Sequence, residues 1–174
     1  MTDTDILTSK KNVKYPLVSI LIRTCCRPDI LRGALESVRA QTYPNIEVVI
    51  IEDGNHTADF MLREEYADMR YVYRATGMHV GRSKAGNLAM SLAKGKYFNF
   101  LDDDDAFLPD HVWTLVRAMK NRYAKAAYSV AQERAIRVRS EKGKALKVKK
   151  SISDFDRNLI VCCFIRKITS LSRA

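Results

Sequence analysis

Four consecutive carboxylates, at residues 102–105, are the part of this chain best equipped for chemistry; we call them the acidic turn. They follow the apolar run 97–101 and precede an amphipathic segment that begins near Pro109. Two unit charges about 4 Å apart repel by roughly 1 kcal/mol in water and by roughly 4 kcal/mol near a protein surface. Four such groups therefore require a cation, protonation or separation in solvent. The residues alone leave two interpretations open, a solvated acidic loop and a site for a hard divalent metal ion.

Two other polar segments also follow apolar runs. Residues 17–22 have the nearly continuous apolar character of a strand buried on both faces, and this run ends at residues 23–27. Residues 46–51 form a second such run, which ends at the acidic and glycine-containing residues 52–55. In a parallel sheet, the ligand crevice lies beyond the carboxyl ends of the strands. The three polar segments are therefore expected to converge on one site.

The stretches between these strands show apolar residues at helical spacing. A helix is predicted to begin at Pro28, which suits a first helical turn, with Leu31, Leu35 and Val38 on its apolar face. The other predicted elements are a helix over 57–66, a strand over 69–73, a helix from Ser83 as N-cap to Gly95 as C-cap, a strand over 97–101 and a helix over 109–122. Strands that alternate with helices predict an α/β fold, with a mostly parallel sheet and helices on both faces.

The character of the chain changes after Ala126. Residues 126–131 and 135–138 are predicted to be strands, with an antiparallel pair as one arrangement, and residues 158–168 form a further apolar segment. Between them, residues 139–150 are rich in lysine. This stretch is either a solvated loop or a basic patch that faces an anionic acceptor or lipid headgroups. We divide the chain into a flexible N-terminal segment (1–14), a core (15–125) and a smaller basic portion (126–174).

The overall composition limits the possible functions. The chain has 174 residues, enough for one domain with a sizeable core, and a net charge of +10 that favours an anionic partner. No apolar run approaches the roughly 20 residues needed to cross a bilayer, and the polar start lacks the apolar segment of a signal peptide. The cysteines form two adjacent pairs without zinc-ligand spacing and are expected to be reduced thiols in buried strands. His56, His79 and His111 show no mutual spacing and are assigned surface or structural roles.

Several ordered pieces of the chain form a more specific set. They are Val18-Ser19-Ile20-Leu21-Ile22 with Thr24, Arg27-Pro28, Leu31, Ala34-Leu35, Ser37-Val38, Gln41-Thr42-Tyr43-Pro44-Asn45, Glu52-Asp53-Gly54, Gly81, Ala85, Asn87, Ala93-Lys94-Gly95-Lys96-Tyr97 and the acidic turn with Phe100-Leu101 before it. This set closely resembles the nucleotide-sugar-dependent family 2 glycosyltransferases of the GT-A fold. The resemblance runs from Val18 to about Arg122 and implies a Rossmann-like sheet flanked by helices. It also implies transfer of a sugar from a UDP- or dTDP-sugar to a hydroxyl acceptor, with inversion.

The resemblance assigns roles to the residues that bind the nucleotide. The pyrimidine base would lie between Thr24 and Asp53, where a carboxylate can accept the ring N–H. Asp53 could instead be a turn-forming residue. Arg27 would approach the phosphates or the ribose, or else pair with a neighbouring acid, and Asp103 would face the ribose. Lys84, or Arg82, could supply positive charge near the donor or lie on a solvated helix face.

The resemblance also assigns the metal. Asp104 would bind Mn²⁺ or Mg²⁺ directly, with Asp102 as the second acid of the DXD motif and Asp105 in support. Hard cations prefer carboxylate and phosphate oxygens, and such a cation would offset charge that develops on the departing diphosphate. Asp105 could alternatively only cap the following helix.

The chain departs from the family pattern in three places before Arg122, and most of all after Lys150. Arg23 stands where proline is common, Cys26 stands near a usual asparagine, and Gly86 stands where an Ala-Arg-Asn piece would have its arginine. No acidic pair follows Lys150 in a context that matches the family's general base, so the base is not identified and residues 126–174 are interpreted as an incomplete acceptor-side portion. An alternative is therefore a truncated or catalytically incomplete module that binds the nucleotide-sugar.

The expected partners follow from the same resemblance and from the charge. They are a nucleotide-sugar donor, a saccharide or lipid-linked acceptor and an optional anionic membrane surface. The expected location is the cytoplasm, with peripheral attachment at the inner membrane face as an option. A nucleic-acid-binding domain is a second rival, suggested only by charge. It lacks basic motifs interleaved with aromatic residues, so no nucleic-acid partner is expected.

Overall fold

A mostly parallel sheet with helices on both faces forms the frame of the described residues. The computed structural model describes residues 15–122, 126–129 and 162–166. Its elements are β1 (Val18–Thr24), α1 (Pro28–Arg39), β2 (Ile46–Glu52), α2 (Asp59–Glu65), β3 (Tyr71–Ala75), α3 (Arg82–Leu92), β4 (Tyr97–Asp102), α4 (His111–Arg122), β5 (Ala126–Ser129) and β6 (Cys162–Arg166). The strand order is β3-β2-β1-β4-β6-β5, with the first four mutually parallel and β6 antiparallel to both of its neighbours. The predicted α/β class and the mostly parallel sheet are confirmed.

The parallel register brings the strand ends together. β1 lies between β2 and β4, and its Thr24 lies opposite Glu52 of β2. On its other side, Arg23 lies opposite Asp102 of β4. Because the strands are parallel and aligned, residues 25–27, 53–55 and the acidic turn leave the sheet at one edge. The predicted convergence of these segments is confirmed.

Two apolar layers, one on each face, explain why the helices pack against the sheet. One face of the sheet packs against α1, α2 and α4, in a cluster that includes Leu31, Leu62 and Leu115. The other face packs against α3, through Ala85 and Ala89. The inner strands contact both layers, and Ile20 and Leu21 of β1 are fully buried on opposite faces. Burial on both sides accounts for the continuous apolar runs in the sequence.

Element boundaries differ from the predictions where tertiary contacts decide them. β3 begins two residues later than predicted, α2 is shorter, and α4 begins at His111 rather than at Pro109. The N-cap position of α3 is occupied by Gly81, not Ser83, and its C-cap is Ala93, not Gly95. No side chain caps the first turn of α3; the carboxylate of Asp53, which follows β2, instead accepts the backbone N–H of Gly81.

Gly95 has a different role, because it lies where the backbone packs against β1. A Cβ at this position would lie 2.4 Å from Ser19 Oγ and 2.7 Å from Ser19 N. The buried Glu47 carboxylate holds this contact, since its Oε1 accepts bonds from Ser19 Oγ at 2.6 Å and from the N–H of Lys94 at 2.6 Å. The glycine is therefore required for close packing rather than for ending a helix.

The strands after α4 extend the sheet on the β4 side. β5 pairs antiparallel with β6, and β6 in turn pairs with β4. The predicted partner of β5, residues 135–138, lies outside the described residues, as does the lysine-rich stretch 139–150. Such a distant pairing cannot be read from local spacing, which favours neighbouring strands as partners. Within the part of the chain that the structure describes, no helix is long and apolar enough to cross a membrane.

Candidate functional site

Asp103 is the buried centre of the site at the carboxyl edge of the sheet. Its side chain is 2% exposed. Thr24 Oγ1 donates to Asp103 Oδ2 at 2.7 Å, and Arg27 Nε donates to the same oxygen at 3.2 Å. Arg27 Nη2 donates to the other oxygen, Oδ1. Three residues with predicted roles in nucleotide binding are thus in direct contact, and the arginine compensates the buried carboxylate.

Asp102 faces a different arginine. Arg23 Nη2 donates to Asp102 Oδ1 at 2.7 Å, and its Nη1 lies 3.4 Å from the carbonyl oxygen of Arg82 at the start of α3. The Asp102 side chain is about half exposed. Asp102, predicted as a metal ligand, therefore has a cationic side chain as its partner. Sequence reasoning did not include Arg23 among the site residues, although its position at the end of β1 was a signal.

Among the described residues, arginine side chains hold Asp104 and Asp105 less closely than they hold Asp102 and Asp103. The side chain of Asp104 is 60% exposed, and Arg27 Nη1 lies 3.9 Å from its Oδ2. Partial burial, followed by the nearby charges of Asp104 and Asp102, raises the pKa of Asp105. Asp105 does not cap α4, because that helix begins six residues later, at His111. The backbone N–H of Asp105 instead donates to the Asp102 carbonyl at 3.1 Å and closes the turn.

Asp53 organises the opposite side of the site. Its backbone N–H donates to the Thr24 carbonyl at 2.8 Å, which ties the end of β2 to the end of β1. Its carboxylate accepts the N–H groups of Val80 at 2.7 Å and Gly81 at 3.0 Å. The bond from Val80 is the largest cause that lowers the pKa of Asp53, so the carboxylate is held in its charged form. Thr76 Oγ1 lies 3.4 Å from the same carboxylate.

Glu52 supports Asp53 from inside the core. Its side chain is fully buried and accepts the backbone N–H of Ala58 at 3.1 Å and the hydroxyl of Tyr73 at 2.5 Å. Burial and this bond raise the pKa of Tyr73. Glu52 therefore fixes the segment after β2 and is not free to meet a ligand. The sequence alone did not show whether Glu52 has a structural or a functional role.

Two cysteines and a histidine lie on the Asp53 side of the site, namely Cys25, Cys26 and His79. Both cysteines are free thiols that lie beyond the end of β1, Cys25 half-buried and Cys26 exposed, so the expectation of buried strand thiols is wrong for this pair. His79 Nδ1 lies 3.8 Å from Cys25 Sγ and 3.9 Å from Asp53 Oδ2. Desolvation raises the pKa of the Cys25 thiol, and the neighbouring Cys26 adds to the effect. Nothing in the spacing of these residues in sequence indicated that they meet.

Lys84 lies in the first turn of α3 and is exposed. Among the described residues, no ion pair joins it to the acidic turn. It follows Gly81, whose N–H donates to Asp53, by three residues, and in the part of the chain that the structure describes it is not among the hydrogen-bond partners of Asp103. Its predicted role stays a prediction.

The acidic turn fits a divalent cation that is shared with a substrate. Residues 15–122, 126–129 and 162–166 contain no group of three or more His, Cys, Asp or Glu side chains arranged to hold a metal by themselves. Mg²⁺ commonly binds through one or two carboxylates together with substrate phosphates. Asp104 and Asp105 offer hard oxygens whose mutual repulsion a cation would relieve. The donor set therefore suits a metal completed by phosphate oxygens.

Comparison with known proteins agrees with this arrangement. The family model described as "Glycosyl transferase family 2" matches residues 19–173. The chain is 36% identical over 104 residues to an uncharacterized glycosyltransferase of Rickettsia prowazekii, a match that covers 59% of this chain and 32% of the relative. It is 30% identical over 113 residues to the Escherichia coli UDP-Glc:alpha-D-GlcNAc-diphosphoundecaprenol beta-1,3-glucosyltransferase WfaP, which covers 65% of this chain and 45% of that protein.

Solved structures show the same fold. A mannosyltransferase of Pyrobaculum calidifontis in complex with GDP-Man and Mn²⁺ superposes with a TM-score of 0.63 at 20% identity, over 69% of this chain and 37% of that one. Staphylococcus aureus TarS 1–349 in complex with UDP-GlcNAc gives a TM-score of 0.60 at 18% identity, over 71% and 37%. The predicted GT-A architecture is confirmed. The chain thus spans less than half the length of these relatives.

Proposed function

Because the chain belongs to glycosyl transferase family 2, we propose that it binds a UDP- or dTDP-sugar together with Mn²⁺ or Mg²⁺. It transfers the sugar to a hydroxyl acceptor with inversion at the anomeric carbon. The observation that carries this proposal is the meeting of Thr24, Asp53 and Asp103 at one sheet edge. Thr24 touches both acids, through its hydroxyl to Asp103 at 2.7 Å and through its carbonyl to the N–H of Asp53 at 2.8 Å.

Asp53 recognises the base in this proposal. Two ionised carboxylate oxygens offer about four lone-pair sites, and the short bonds from Val80 and Gly81 use one site on each oxygen. A pyrimidine ring N–H can therefore be accepted without breaking either bond. These bonds favour the charged form of Asp53, and this form accepts a hydrogen bond from the ring N–H.

The choice of base is made by side chains rather than by the fold. The Pyrobaculum structure contains GDP-Man, whereas the TarS structure contains UDP-GlcNAc and the E. coli relative is named for UDP-Glc. These donors carry different bases on one architecture. A uracil or thymine donor is proposed here on the ground that Asp53 presents an acceptor beside Thr24.

Arg27 and Asp103 hold the ribose and the diphosphate. Arg27 bonds both oxygens of Asp103, whose side chain is only 2% exposed, so a ribose hydroxyl reaches this acid only when the arginine moves aside. The Arg27 side chain is 43% exposed and already reaches toward Asp104. It can therefore turn toward the diphosphate while Thr24 keeps Asp103 in place. Lys84 adds positive charge at the first turn of α3.

Asp104 would hold the cation directly, with Asp105 beside it and Asp102 in the position of the second motif acid. When bound, the metal supplies Lewis-acid stabilisation of the charge on the departing diphosphate. The protein's own contribution is to fix the turn, through the bond from the Asp105 N–H to the Asp102 carbonyl. No general base for the acceptor hydroxyl is assigned among the described residues.

Calorimetry with UDP, dTDP and GDP, each with and without Mn²⁺, tests the proposal. We expect metal-dependent binding of UDP or dTDP and weaker binding of GDP. Tight GDP binding, or binding indifferent to the metal, would contradict it. Assays of donor hydrolysis and sugar transfer then separate an enzyme from the alternative, a donor-binding module, which would bind UDP with metal and show no turnover.

The acceptor and the location belong to the same proposal. A saccharide or lipid-linked acceptor is favoured, in line with the diphosphoundecaprenol-linked substrate in the name of the E. coli relative. The net charge of +10 suits attraction to an anionic membrane surface from the cytoplasmic side. Nucleic acid is not proposed as a partner.

A further inference from the structure

Arg23 occupies a position that links three elements at the edge of the site. It lies one residue before the end of β1 and directly opposite Asp102 of β4. Its guanidinium donates to Asp102 Oδ1 at 2.7 Å, lies 3.4 Å from the Arg82 carbonyl oxygen and stands 5.8 Å from the centre of the Phe100 ring. The side chain is only 27% exposed, so α3 and β4 confine it to this position.

Gly86 of α3 leaves the space in which Arg23 lies. A Cβ at Gly86 would be 3.6 Å from Arg23 Cδ and 3.8 Å from Phe100 Cε1, which is ordinary contact. A single methyl group therefore fits, but a longer side chain would take the volume that the arginine stem fills.

The two arginines of the site act on opposite sides of the sheet. Successive side chains of a strand point to opposite faces, so Arg23 and Thr24 of β1 diverge, Arg23 donating to Asp102 and Thr24 to Asp103. Arg27 meets Asp103 together with Thr24, and Arg23 meets Asp102 beside Phe100. Each arginine thus neutralises one acid, and the remaining charge of the acidic turn is concentrated on Asp104 and Asp105.

We propose that Arg23 is a positioning residue that keeps Asp102 out of the divalent-cation site. A carboxylate held at 2.7 Å by an arginine must lose that partner before it can ligate a metal. With Asp102 occupied, the cation and the diphosphate meet Asp104 and Asp105 in one arrangement. Without Arg23, Asp102 is a free acid that binds the cation in competing arrangements. The inference rests on the proposed function, and it assigns Asp102 a role other than metal ligand.

Neutralising both partners tests the inference. Arg23→Gln is expected to weaken Mn²⁺-dependent UDP binding about tenfold, because the unpaired Asp102 diverts the cation. The double variant Arg23→Gln/Asp102→Asn is expected to return to within about threefold of the parent, because neither charge is then left unpaired. If Asp102 is instead a metal ligand, the double variant loses about 100-fold or more, which overturns the inference.

Gly86 gives a second test through a residue that carries no charge. Gly86→Leu displaces Arg23 and is expected to weaken UDP binding as Arg23→Gln does, whereas Gly86→Ala is the matched control and leaves it unchanged. Adding Asp102→Asn to Gly86→Leu is expected to restore binding. A purely structural defect in α3 would not be rescued by a change in β4, so failure of this rescue in a variant that melts like the parent also overturns the inference.

Mn²⁺ titration without nucleotide, followed by electron paramagnetic resonance, adds a readout that does not depend on turnover. Arg23→Gln is expected to bind free Mn²⁺ more tightly than the parent, and Arg82→Gln, which removes a nearby charge without releasing Asp102, is expected to change it less than about twofold. Equal effects of the two variants would reduce the role of Arg23 to its charge alone and contradict the inference. A parent that binds neither Mn²⁺ nor UDP would overturn the proposed function itself.

Discussion

Neighbouring aspartates of the acidic turn differ in their surroundings. Asp103 is buried against Thr24 and Arg27, and Asp102 is paired with Arg23. Asp104 is largely exposed, and the pKa of Asp105 is raised by partial burial and by like charges. Four identical residue types therefore have four distinct electrostatic environments. Their roles depend on which side of the strand or turn each side chain leaves.

At the residue scale, the metal assignment predicts unequal effects of two alanine substitutions. Asp104→Ala is expected to abolish Mn²⁺-dependent UDP binding, because it removes the exposed carboxylate that would ligate the cation. Asp105→Ala serves as the matched variant and is expected to weaken binding less. Calorimetry of UDP in the presence of Mn²⁺ measures both. An Asp104→Ala protein that binds UDP and Mn²⁺ like the parent would show that the assignment is wrong.

At the scale of elements, the close contact between the 93–96 segment and β1 predicts that Gly95 cannot be replaced. In Gly95→Ala the new Cβ would lie 2.4 Å from Ser19 Oγ and 2.7 Å from Ser19 N, so backbone must move. We expect the free energy of unfolding to fall by about 3 kcal/mol, as for severe overpacking. Chemical denaturation measures it.

The control for this prediction lies on α1. Gly33 is exposed in the helix interior, and a Cβ there would have no atom within 4 Å. Gly33→Ala is expected to stabilise the protein by about 0.5–1 kcal/mol, because alanine is the better helix former. Similar effects of the two substitutions would refute the packing argument for Gly95.

A second prediction at this scale concerns the start of α4. The ring of His111 stacks on Phe107 at 4.1 Å, and its Nε2 lies 2.8 Å from Asn99 Nδ2 of β4. Burial lowers the pKa of His111, so the folded protein takes up a proton at lower pH than the unfolded chain does. The neutral form of His111 is the form that fits the folded protein. Its contribution to the free energy of unfolding is fully present above the unfolded pKa, near 6.5, and is lost as the pH falls toward the lower pKa of the folded state.

The measurement compares two proteins at two pH values. The free energy of unfolding of the parent is expected to fall more between about pH 7.5 and about pH 5.5 than that of His111→Gln, which has no titrating group but keeps an amide for Asn99. Parallel losses in both proteins would mean that His111 does not titrate against the fold. His56 and His79 are common to both proteins and cancel in the comparison.

At the scale of the whole molecule, the charge of +10 is the dominant property. It coexists with the acidic turn at the sheet edge, which repels phosphate in the absence of a cation. A uniform polyanion such as DNA is therefore a poor match for the candidate site. A membrane surface that meets the chain elsewhere does not conflict with that site.

The charge predicts binding to vesicles that contain phosphatidylglycerol and no binding to vesicles of phosphatidylcholine alone. Sedimentation with vesicles measures it, and addition of about 0.5 M NaCl is expected to release the protein, because salt screens surface charge. Equal binding to both kinds of vesicle would contradict an electrostatic cause. DNA or RNA binding that persists at physiological ionic strength would revive the nucleic-acid alternative.

Much of the fold could be predicted because burial on both faces leaves a local trace. The apolar runs of β1 and β2 and the helical spacing of α1 are direct consequences of where each side chain is buried. Parallel alignment of the strands then brings their polar ends to one edge of the sheet, and this placement does not depend on contacts between the side chains. The order of motifs was enough to place Thr24, Asp53 and Asp103 together.

Contacts between distant parts of the chain could not be predicted in this way. The pairing of β5 with β6, the bond from the Gly81 N–H to Asp53 and the packing of Gly95 on Ser19 join residues that no local period relates. The division of the acidic turn between two arginines is of the same kind. The sequence by itself determined that four carboxylates follow a buried strand. Only the tertiary structure decided which of them are neutralised, because the arginines reach them across the sheet from β1 and from the turn after it.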